Sequence, residues 1–291
     1  MSKVLMKKAS IISKQGKPEL AKVAVQVADW LRRRGYTITA DAATREFCAD
    51  CEPAEREELA TVAPDFVIVL GGDGTLLSTA RCVARADIPI LGVNLGSLGF
   101  LTEVKQEEIE QALEEVDATR SYELSLRPML HCQVIREGKC VATYEALNEV
   151  VMNQSAVARI TDFEVRVNDI FVANYKADGL IISTPTGSTA YSLAAGGPIL
   201  APDVPGFVIT PVASHALTNR PLVVKDTAVI EARIVVTREQ AFLTIDGQVG
   251  TPLGENDLVR CRKSDHNVKL FKFAGRSFFD VLRTKLKWGE R

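Results

Sequence analysis

A chain of 291 residues, of which 46% are apolar and 25% charged, is long enough for two domains and has the composition of a soluble globular protein. The net charge of -2 gives no electrostatic reason to expect nucleic acid or an anionic membrane as a partner. No apolar run approaches the roughly 20 residues needed to cross a bilayer, and no apolar h-region follows the early lysines. We therefore expect a cytoplasmic protein with neither a nucleic-acid nor a membrane partner.

The six cysteines are scattered along the chain, which suits a reducing cytosol better than a disulfide framework. Cys48 and Cys51 have the spacing of a metal or redox pair. They lack a second CxxC or a paired histidine motif, so two ordinary thiols are the simpler interpretation.

The first part of the chain alternates strand and helix patterns. Apolar residues at helical spacing predict a helix over 18–34, which Gly35 ends as a C-cap. The apolar run 66–70, bounded by Pro64 and glycines, predicts a buried strand. The alternation predicts a parallel α/β sheet. The predicted strands lie at 8–13, 36–39, 66–70 and 89–93, and the predicted helices at 18–34, 52–59, 75–84 and 107–115.

The pattern changes near residue 120, and the second half of the chain is mostly β. A hairpin is predicted over 129–145 and another over 163–175, with one short helix near 189–195. The end of the chain returns to a helical pattern. We therefore divide the chain into an α/β domain over 1–125, a mostly-β domain over 126–275 and a C-terminal segment over 276–291.

The sequence Gly71-Gly72-Asp73-Gly74-Thr75 directly follows the predicted strand 66–70. Ligands of open α/β sheets bind outside the carboxyl ends of the strands, and glycines let the backbone approach a phosphate. A carboxylate repels phosphate, so Asp73 is better suited to handle a proton, a hydroxyl or a metal. The alternative is a tight turn whose aspartate caps the next helix.

A second glycine-rich loop, residues 94–101, leaves the next predicted strand. If the two strands are neighbours, both loops open on the same edge of the sheet. Neither loop fits a Walker A or a GxGxxG sequence, and no GxSxG elbow occurs.

Three further clusters lie in the second half. Asn148 and Glu149 place an amide beside a carboxylate, which can donate to and accept from sugar hydroxyls. The small-residue run 178–198 offers hydroxyls and backbone amides, and its Tyr191 could stack on a base. Residues 244–248 form the third cluster. Taken alone, the first and third are also typical of strand-end turns, and the second of a capped helix start.

Taken together and in this order, these stretches resemble the NAD kinase family of the bacterial type. The GGDG sequence alone is also similar to phosphofructokinases and to diacylglycerol and sphingosine kinases, so the order of the motifs distinguishes the family. The resemblance runs through almost the whole chain, at 71–75, 94–101, 148–149, 178–198, 211–221 and 246–248.

The resemblance implies a phosphofructokinase-like α/β domain over 1–125 and a β-sandwich-like, NAD-binding domain over 126–275. It implies that the segment 276–291 returns to the first domain. The implied reaction moves the γ-phosphoryl of ATP to the 2′-hydroxyl of the adenosine ribose of NAD and gives NADP, with a divalent metal, Mg²⁺. A homodimer or homotetramer is also implied.

By the same resemblance, Asp73 is the general base that accepts the proton of the 2′-hydroxyl, and no metal ligands are assigned. Two alternatives stay open. A lipid kinase would not need the loop 189–194, and a non-catalytic NAD(P)-binding sensor would not need Asp73. The implied NAD contacts are Asp73, Gly74, Phe100, Asn148, Glu149, Arg159, Lys176, Asp178, Thr189, Ala190, Tyr191, Ser192, Leu193, Ala194 and Gln248.

Overall fold

The computed structural model describes residues 7–96, 99–119, 123–154, 161–236, 241–273, 275 and 277–288. Internal contacts divide the chain into two compact units, Met1–Leu126 with Asn267–Arg291, and Arg127–His266. None of the described helices has the length and apolar character needed to span a bilayer.

Strands and helices are numbered in chain order. The strands are β1 (Lys7–Ser13), β2 (Tyr36–Ala40), β3 (Glu52–Pro53), β4 (Phe66–Leu70), β5 (Ile90–Asn94), β6 (Val104–Lys105), β7 (Glu123–Arg136), β8 (Lys139–Ala146), β9 (Glu149–Gln154), β10 (Thr161–Val167), β11 (Ile170–Ala177), β12 (Gly179–Ser183), β13 (Gly206–Val212), β14 (Leu222–Lys225), β15 (Ile230–Val236), β16 (Ala241–Ile245), β17 (Val249–Leu253) and β18 (Leu258–Lys272). The helices are α1 (Ala21–Arg33), α2 (Ala42–Arg45), α3 (Leu59–Val62), α4 (Asp73–Val83), α5 (Ile109–Thr119), α6 (Tyr191–Ala194) and α7 (Phe278–Leu286).

The first unit contains a parallel sheet of strand order β3-β2-β1-β4-β5, with β6 beside β5. The end of β18 also joins β5 in parallel, where Leu270 pairs with Ile90. Every residue of β4 and β5 is buried, because the sheet is covered on both faces. Helix α1 buries Val23, Val27 and Leu31 at helical spacing. The parallel sheet predicted for the first part of the chain is therefore confirmed.

The helix predicted over 52–59 is wrong in its first part. Glu52 and Pro53 form the short strand β3 beside β2, and a 3-10 turn over Arg56–Glu58 precedes α3. A proline is tolerated at the edge of a sheet, where its missing N–H is not needed. The acidic composition of residues 52–59 favoured a helix, so the sequence did not predict this short edge strand.

The second unit is built from antiparallel strands. One group has the order β11-β10-β15 followed by the start of β18, together with the β7–β8 hairpin. A six-stranded sheet has the order β14-β13-β12-β9-β16-β17. A single apolar core includes Phe163 and Val165 from the first group and Met152 and Leu180 from the sheet. The second unit is thus a β-sandwich, and the predicted mostly-β character is confirmed.

The Cys48 and Cys51 thiols are both buried in the apolar core of the first unit. Burial, and secondarily the neighbouring Cys51, raise the pKa of the Cys48 thiol to about 11. A thiol with such a pKa stays protonated at neutral pH and is a poor metal ligand or redox nucleophile. The structure therefore agrees with two ordinary thiols.

Candidate active site

Asp73 lies at the carboxyl edge of the parallel sheet, at the first residue of α4. Two hydrogen bonds fix the end of β4 between its neighbours: the N–H of Gly71 donates to the carbonyl of Val93, and the N–H of Lys14 donates to the carbonyl of Leu70. The chain then turns through Gly72, whose extended backbone precedes the helix. This is the edge at which ligands of open α/β sheets bind.

The carboxylate of Asp73 is held by the second glycine-rich loop. Its Oδ2 accepts the N–H of Phe100 at 3.0 Å, and its Oδ1 accepts the N–H of Leu101 at 3.2 Å and the hydroxyl of Thr102 at 3.3 Å. We call Asp73 with residues 99–102 the Asp73 cradle. Because β4 and β5 are parallel neighbours, the two glycine-rich loops meet at one edge of the sheet, as the sequence predicts.

Gly99 allows the close approach inside the Asp73 cradle. A β-carbon at this position would overlap Oδ1 of Asp73 and would lie 2.8 Å from its Cγ and 2.5 Å from the hydroxyl of Thr102. Real β-carbons do not approach other atoms this closely. The absence of a side chain at Gly99 is therefore a requirement of the hydrogen-bonded cradle, a role that sequence reasoning did not assign to it.

Helix α7 packs on the Asp73 cradle through the ring of Phe100. The ring centroids of Phe100 and Phe278 are 6.4 Å apart, and Nζ of Lys285 lies 5.9 Å from the Phe100 centroid. The helix begins with a capping box in which Ser277 and Asp280 exchange hydrogen bonds. That box is visible in the sequence, but its connection to Asp73 is not.

In the second unit, Asp246 organises the Asn148–Glu149 pair. Oδ1 of Asp246 accepts the N–H of Asn148 at 2.7 Å and that of Glu149 at 3.1 Å, and Oδ2 accepts the N–H of Leu147 at 3.1 Å. In return, the N–H of Asp246 donates to the carbonyl of Glu149 at 3.0 Å. Asp246 has a left-handed backbone, with φ of 50°, between β16 and β17. Asp246 therefore holds the backbone of the predicted Asn148–Glu149 site. The sequence did not indicate this role, because a strand-end turn is enough to explain residues 244–248.

The small-residue run packs on the same backbone. The N–H of Thr184 donates to the carbonyl of Asn148 at 2.9 Å, and the Thr184 hydroxyl donates to the carbonyl of Leu147 at 2.5 Å. A β-carbon at Gly187 would overlap the Asn148 carbonyl and lie 2.7 Å from its Cα. The three clusters of the second half therefore converge. We call residues 147–149, Thr184, Gly187 and Asp246 the Glu149 cluster.

Glu149 is the most perturbed acid of this cluster. Only 5% of the surface of Glu149 is exposed, and its Oε2 is buried without a hydrogen-bond partner among the described residues. Burial is the larger cause and the Asp246 charge the smaller, and together they raise the pKa of Glu149 to about 8, against the opposing effect of the Tyr191 N–H. Perturbed, partnerless acids of this kind are characteristic of ligand sites.

The loop 189–194 continues from the Glu149 cluster. The hydroxyl of Thr189 donates to the carbonyl of Thr186, and the hydroxyl of Ser192 bonds that of Thr210 at 3.0 Å. Both hydroxyls therefore shape the loop. The side chain of Tyr191 is 44% exposed and remains accessible to a ligand. Ala190, Leu193 and Ala194 complete the segment around the short helix α6.

The other predicted contacts lie in two further places. Lys176 and Asp178 flank the end of β11, where the N–H of His215 donates to the Lys176 carbonyl and Nε2 of His215 lies 4.0 Å from Asp178. Gln248 follows Asp246 in the β16–β17 turn. Gly74 is exposed in the first turn of α4. Arg159 lies outside the described residues.

Family comparisons cover both units. The model of the ATP-NAD kinase N-terminal domain matches residues 10–121, and that of the ATP-NAD kinase C-terminal domain matches residues 147–273. The NAD kinase of Koribacter versatilis is 53% identical over 286 residues, which cover 98% of this chain and 100% of the relative. That of Solibacter usitatus is 46% identical over 287 residues, with 99% of each chain covered.

Two solved structures share the architecture. Yeast NADH kinase complexed with NADH aligns with a TM-score of 0.90 at 22% identity, over 98% of this chain and 89% of that chain, and shows the shared fold. An NAD kinase from Archaeoglobus fulgidus in complex with ATP aligns with a TM-score of 0.77 at 25% identity, over 95% of this chain and 99% of that chain. With matching domains in both halves and relatives of this identity over nearly its whole length, the chain belongs to the ATP-dependent NAD kinase family.

Proposed function

We propose that this NAD kinase transfers the γ-phosphoryl of ATP to the 2′-hydroxyl of the adenosine ribose of NAD, with Asp73 as the general base. The observation that carries the proposal is the orientation of the Asp73 carboxylate by three donors of the neighbouring loop. A carboxylate has about four lone-pair sites, so it can accept one further hydrogen bond from a ribose hydroxyl.

For this reaction, the main requirement on the general base is that its carboxylate is correctly positioned. Phosphoryl transfer passes through a loose transition state, so the protein mainly orients the reactants and balances their charge. The O2′–H bond breaks as its proton moves to Asp73, the oxygen bonds to the γ-phosphorus, and ADP leaves with the electrons of the broken P–O bond. A positioned base of this kind accelerates such a step by about 10²–10⁴-fold.

The remaining predicted residues are proposed to bind NAD. The perturbed acid Glu149, the accessible residue Tyr191 and the half-exposed side chain of Asp178 support this assignment. Asn148 belongs here because Asp246, Thr184 and Gly187 all act on its backbone. The full proposed set is Asp73, Gly74, Phe100, Asn148, Glu149, Arg159, Lys176, Asp178, Thr189, Ala190, Tyr191, Ser192, Leu193, Ala194 and Gln248.

We propose Mg²⁺ as the metal that accompanies ATP. The described residues bring no three acidic, histidine or cysteine side chains together as a metal site. In kinases Mg²⁺ is held largely by substrate phosphates and water together with one or two carboxylates, so we propose that it arrives with the nucleotide. When bound, the metal neutralises charge on the phosphates, and no residue of this chain is assigned as its ligand.

We also propose a cytoplasmic homodimer or homotetramer. Ile170 and Phe171 expose 71% and 51% of their surface on the second unit, which supports burial against another copy. Six free cysteines support a reducing compartment. Light scattering measures the mass of the assembly directly, and a monomeric mass at micromolar concentration would contradict the proposed oligomer.

The test of the function is ATP-dependent formation of NADP from NAD by the purified chain. NADP is read through an NADP-specific dehydrogenase, and the same protein is offered diacylglycerol in micelles. We expect product from NAD alone. A lipid product without NADP would establish a lipid kinase, and NAD binding without any turnover would establish a sensor.

A further inference from the structure

Glu149 is a buried acid that the mechanism above does not use as a base. We propose that Glu149 meets the dinucleotide as a neutral carboxylic acid and donates a hydrogen bond from its carboxyl group to an acceptor atom of that ligand. This rests on the proposed function, since the ligand is the NAD that the reaction requires. It differs from the sequence interpretation, in which a carboxylate accepts hydrogen bonds from sugar hydroxyls.

The first argument is the fixed position of the residue. Glu149 opens β9 and lies opposite Ser183 of β12. Its N–H donates to Asp246, and its carbonyl accepts from Asp246, so the backbone is held on both sides. The residue is 5% exposed, and the side chain ends in a buried oxygen without a partner among the described residues. An ionised carboxylate in such a place loses its hydration and gains too few donors to replace it.

The second argument is competition between two carboxyl groups. Asp246 accepts three backbone N–H groups on its two oxygens, which favours its charged form. Glu149 accepts a hydrogen bond from the backbone N–H of Tyr191, and the charge of Asp246 adds to burial in raising its pKa. Like charges at close range do not both ionise readily, so the single proton belongs on the acid with fewer donors.

The groups that face Glu149 within its unit are consistent with this. Asp246 approaches from the β16–β17 turn, the hydroxyl residue Ser183 lies opposite on β12, and the N–H of Tyr191 comes from α6. No basic side chain of the described residues is among the groups that shift the pKa of Glu149. The pKa of about 8 accordingly leaves the acid mostly protonated at neutral pH.

The protonation state of Glu149 determines which atoms of a ligand it can bond. A protonated carboxyl is a donor and an acceptor at once, whereas a carboxylate only accepts. The protonated carboxyl of Glu149 therefore suits a carbonyl oxygen, a ring nitrogen or a hydroxyl used as an acceptor. Glutamine has the same length, and its uncharged amide is also both a hydrogen-bond donor and an acceptor. It is therefore the matched replacement for the protonated acid.

The test measures NAD affinity against pH in the full-length protein. KM for NAD, and Kd from calorimetry without ATP, are followed from pH 6 to pH 9.5 for the wild type, Glu149→Gln and Glu149→Ala. We expect the wild-type Kd to rise by about tenfold per pH unit above the pKa of Glu149. Glu149→Gln should stay within about threefold of the wild type at pH 7 and lose this alkaline rise, because its donor does not titrate. Glu149→Ala should bind at least tenfold more weakly than the wild type at pH 7, and its Kd should not change with pH.

Glu164→Gln is the control, since Glu164 pairs with Arg166 on β10 and carries the same substitution outside the cluster. Its pH profile should match the wild type. If Glu149→Gln weakens binding at pH 7 as much as Glu149→Ala does, Glu149 acts as a carboxylate and the proposal is overturned. A wild type that makes no NADP would instead refute the proposed function, and the Kd series would still report on Glu149.

A second measurement observes the proton itself. The infrared difference spectrum between the wild type and Glu149→Gln at pH 7 should contain the carbonyl band of a protonated acid, which disappears at pH 9.5. A carboxylate band at pH 7 would overturn the proposal even if binding were unchanged.

Discussion

The carboxylate of Asp73 accepts a 3.0 Å hydrogen bond from the backbone N–H of Phe100, a residue 27 positions later in the chain. The bond joins the loops that leave two neighbouring parallel strands, β4 and β5. Together with the bonds from Leu101 and Thr102, it orients the carboxylate toward the loop 99–102. Removing any part of this arrangement should affect turnover before it affects the fold.

Asp73→Asn should lower kcat by about 10²–10⁴-fold, because the amide cannot take the proton of the ribose hydroxyl. The amide keeps one acceptor oxygen for the cradle, so the melting temperature should change little. Steady-state NADP formation and thermal unfolding measure the two effects. Asp29→Asn, at an exposed position on α1, is the control. Near-normal turnover of Asp73→Asn would exclude Asp73 as the base.

Gly99→Ala should lower kcat by about 10–100-fold, because the new β-carbon displaces the Asp73 carboxylate from its position. Gly96→Ala is a matched control in the same loop, since its β-carbon would have Oδ1 of Asn94 as its nearest neighbour at 3.9 Å. The comparison needs kcat of both variants at saturating NAD and ATP. Equal activities would mean that the tight contact at Gly99 has no role in orienting the base.

Asp246→Ala should destabilise the protein by about 2–4 kcal/mol, because three backbone N–H groups lose their acceptor. It should also raise KM for NAD through the displaced Asn148–Glu149 backbone. Urea unfolding and KM are the measurements, and Asp203→Ala, at an exposed position, should alter neither. A stable Asp246→Ala protein with normal KM would contradict the scaffold role.

Glu149 should also make the free energy of unfolding depend on pH. Its folded pKa of about 8 lies above the ordinary value of 4.5, so the folded state binds the proton more tightly than the unfolded state. The contribution to stability is complete below the unfolded pKa and is lost as pH rises through the folded pKa, by about 3–5 kcal/mol in total. The unfolding free energy of the ligand-free wild type should therefore fall relative to Glu149→Gln between pH 5 and pH 9. Parallel curves for the two proteins would be the contrary result.

Phe278→Leu should reduce kcat severalfold with little change in KM, because α7 contacts the Asp73 cradle through the Phe100 ring. Phe279→Leu removes a neighbouring ring that is 59% exposed and is the control. Replacement of Phe278 by tyrosine should restore the ring contact and the rate. A loss of stability alone, with unchanged kcat for the folded fraction, would limit α7 to a structural role.

The Asp73 cradle could be anticipated from the sequence because it follows from a local rule. Two glycine-rich loops after consecutive parallel strands open on one edge, whatever the details of the chain between them. The precise contact at Gly99 could not be anticipated, since it depends on the distance between two atoms and not on a residue pattern.

The family resemblance groups the motifs of the Glu149 cluster, but residue patterns do not predict the contacts within it, for a different reason. Asn148 and Asp246 meet because β9 pairs with β16, and no periodicity indicates which of many strands will pair. The residues 244–248 were interpreted alone as a strand-end turn. That description is correct, yet it conceals that Asp246 accepts three distant N–H groups.

The bond between Asn148 and Asp246 spans 98 positions of the chain. Contacts of such separation form late, because a long loop must close before they contribute any stability. The bond from Phe100 to Asp73 closes a loop of only 27 positions, which costs less entropy. Both arrangements therefore depend on residues near the end of the chain: Asp246 completes the Glu149 cluster, and Phe278 of α7 contacts the Phe100 ring of the Asp73 cradle.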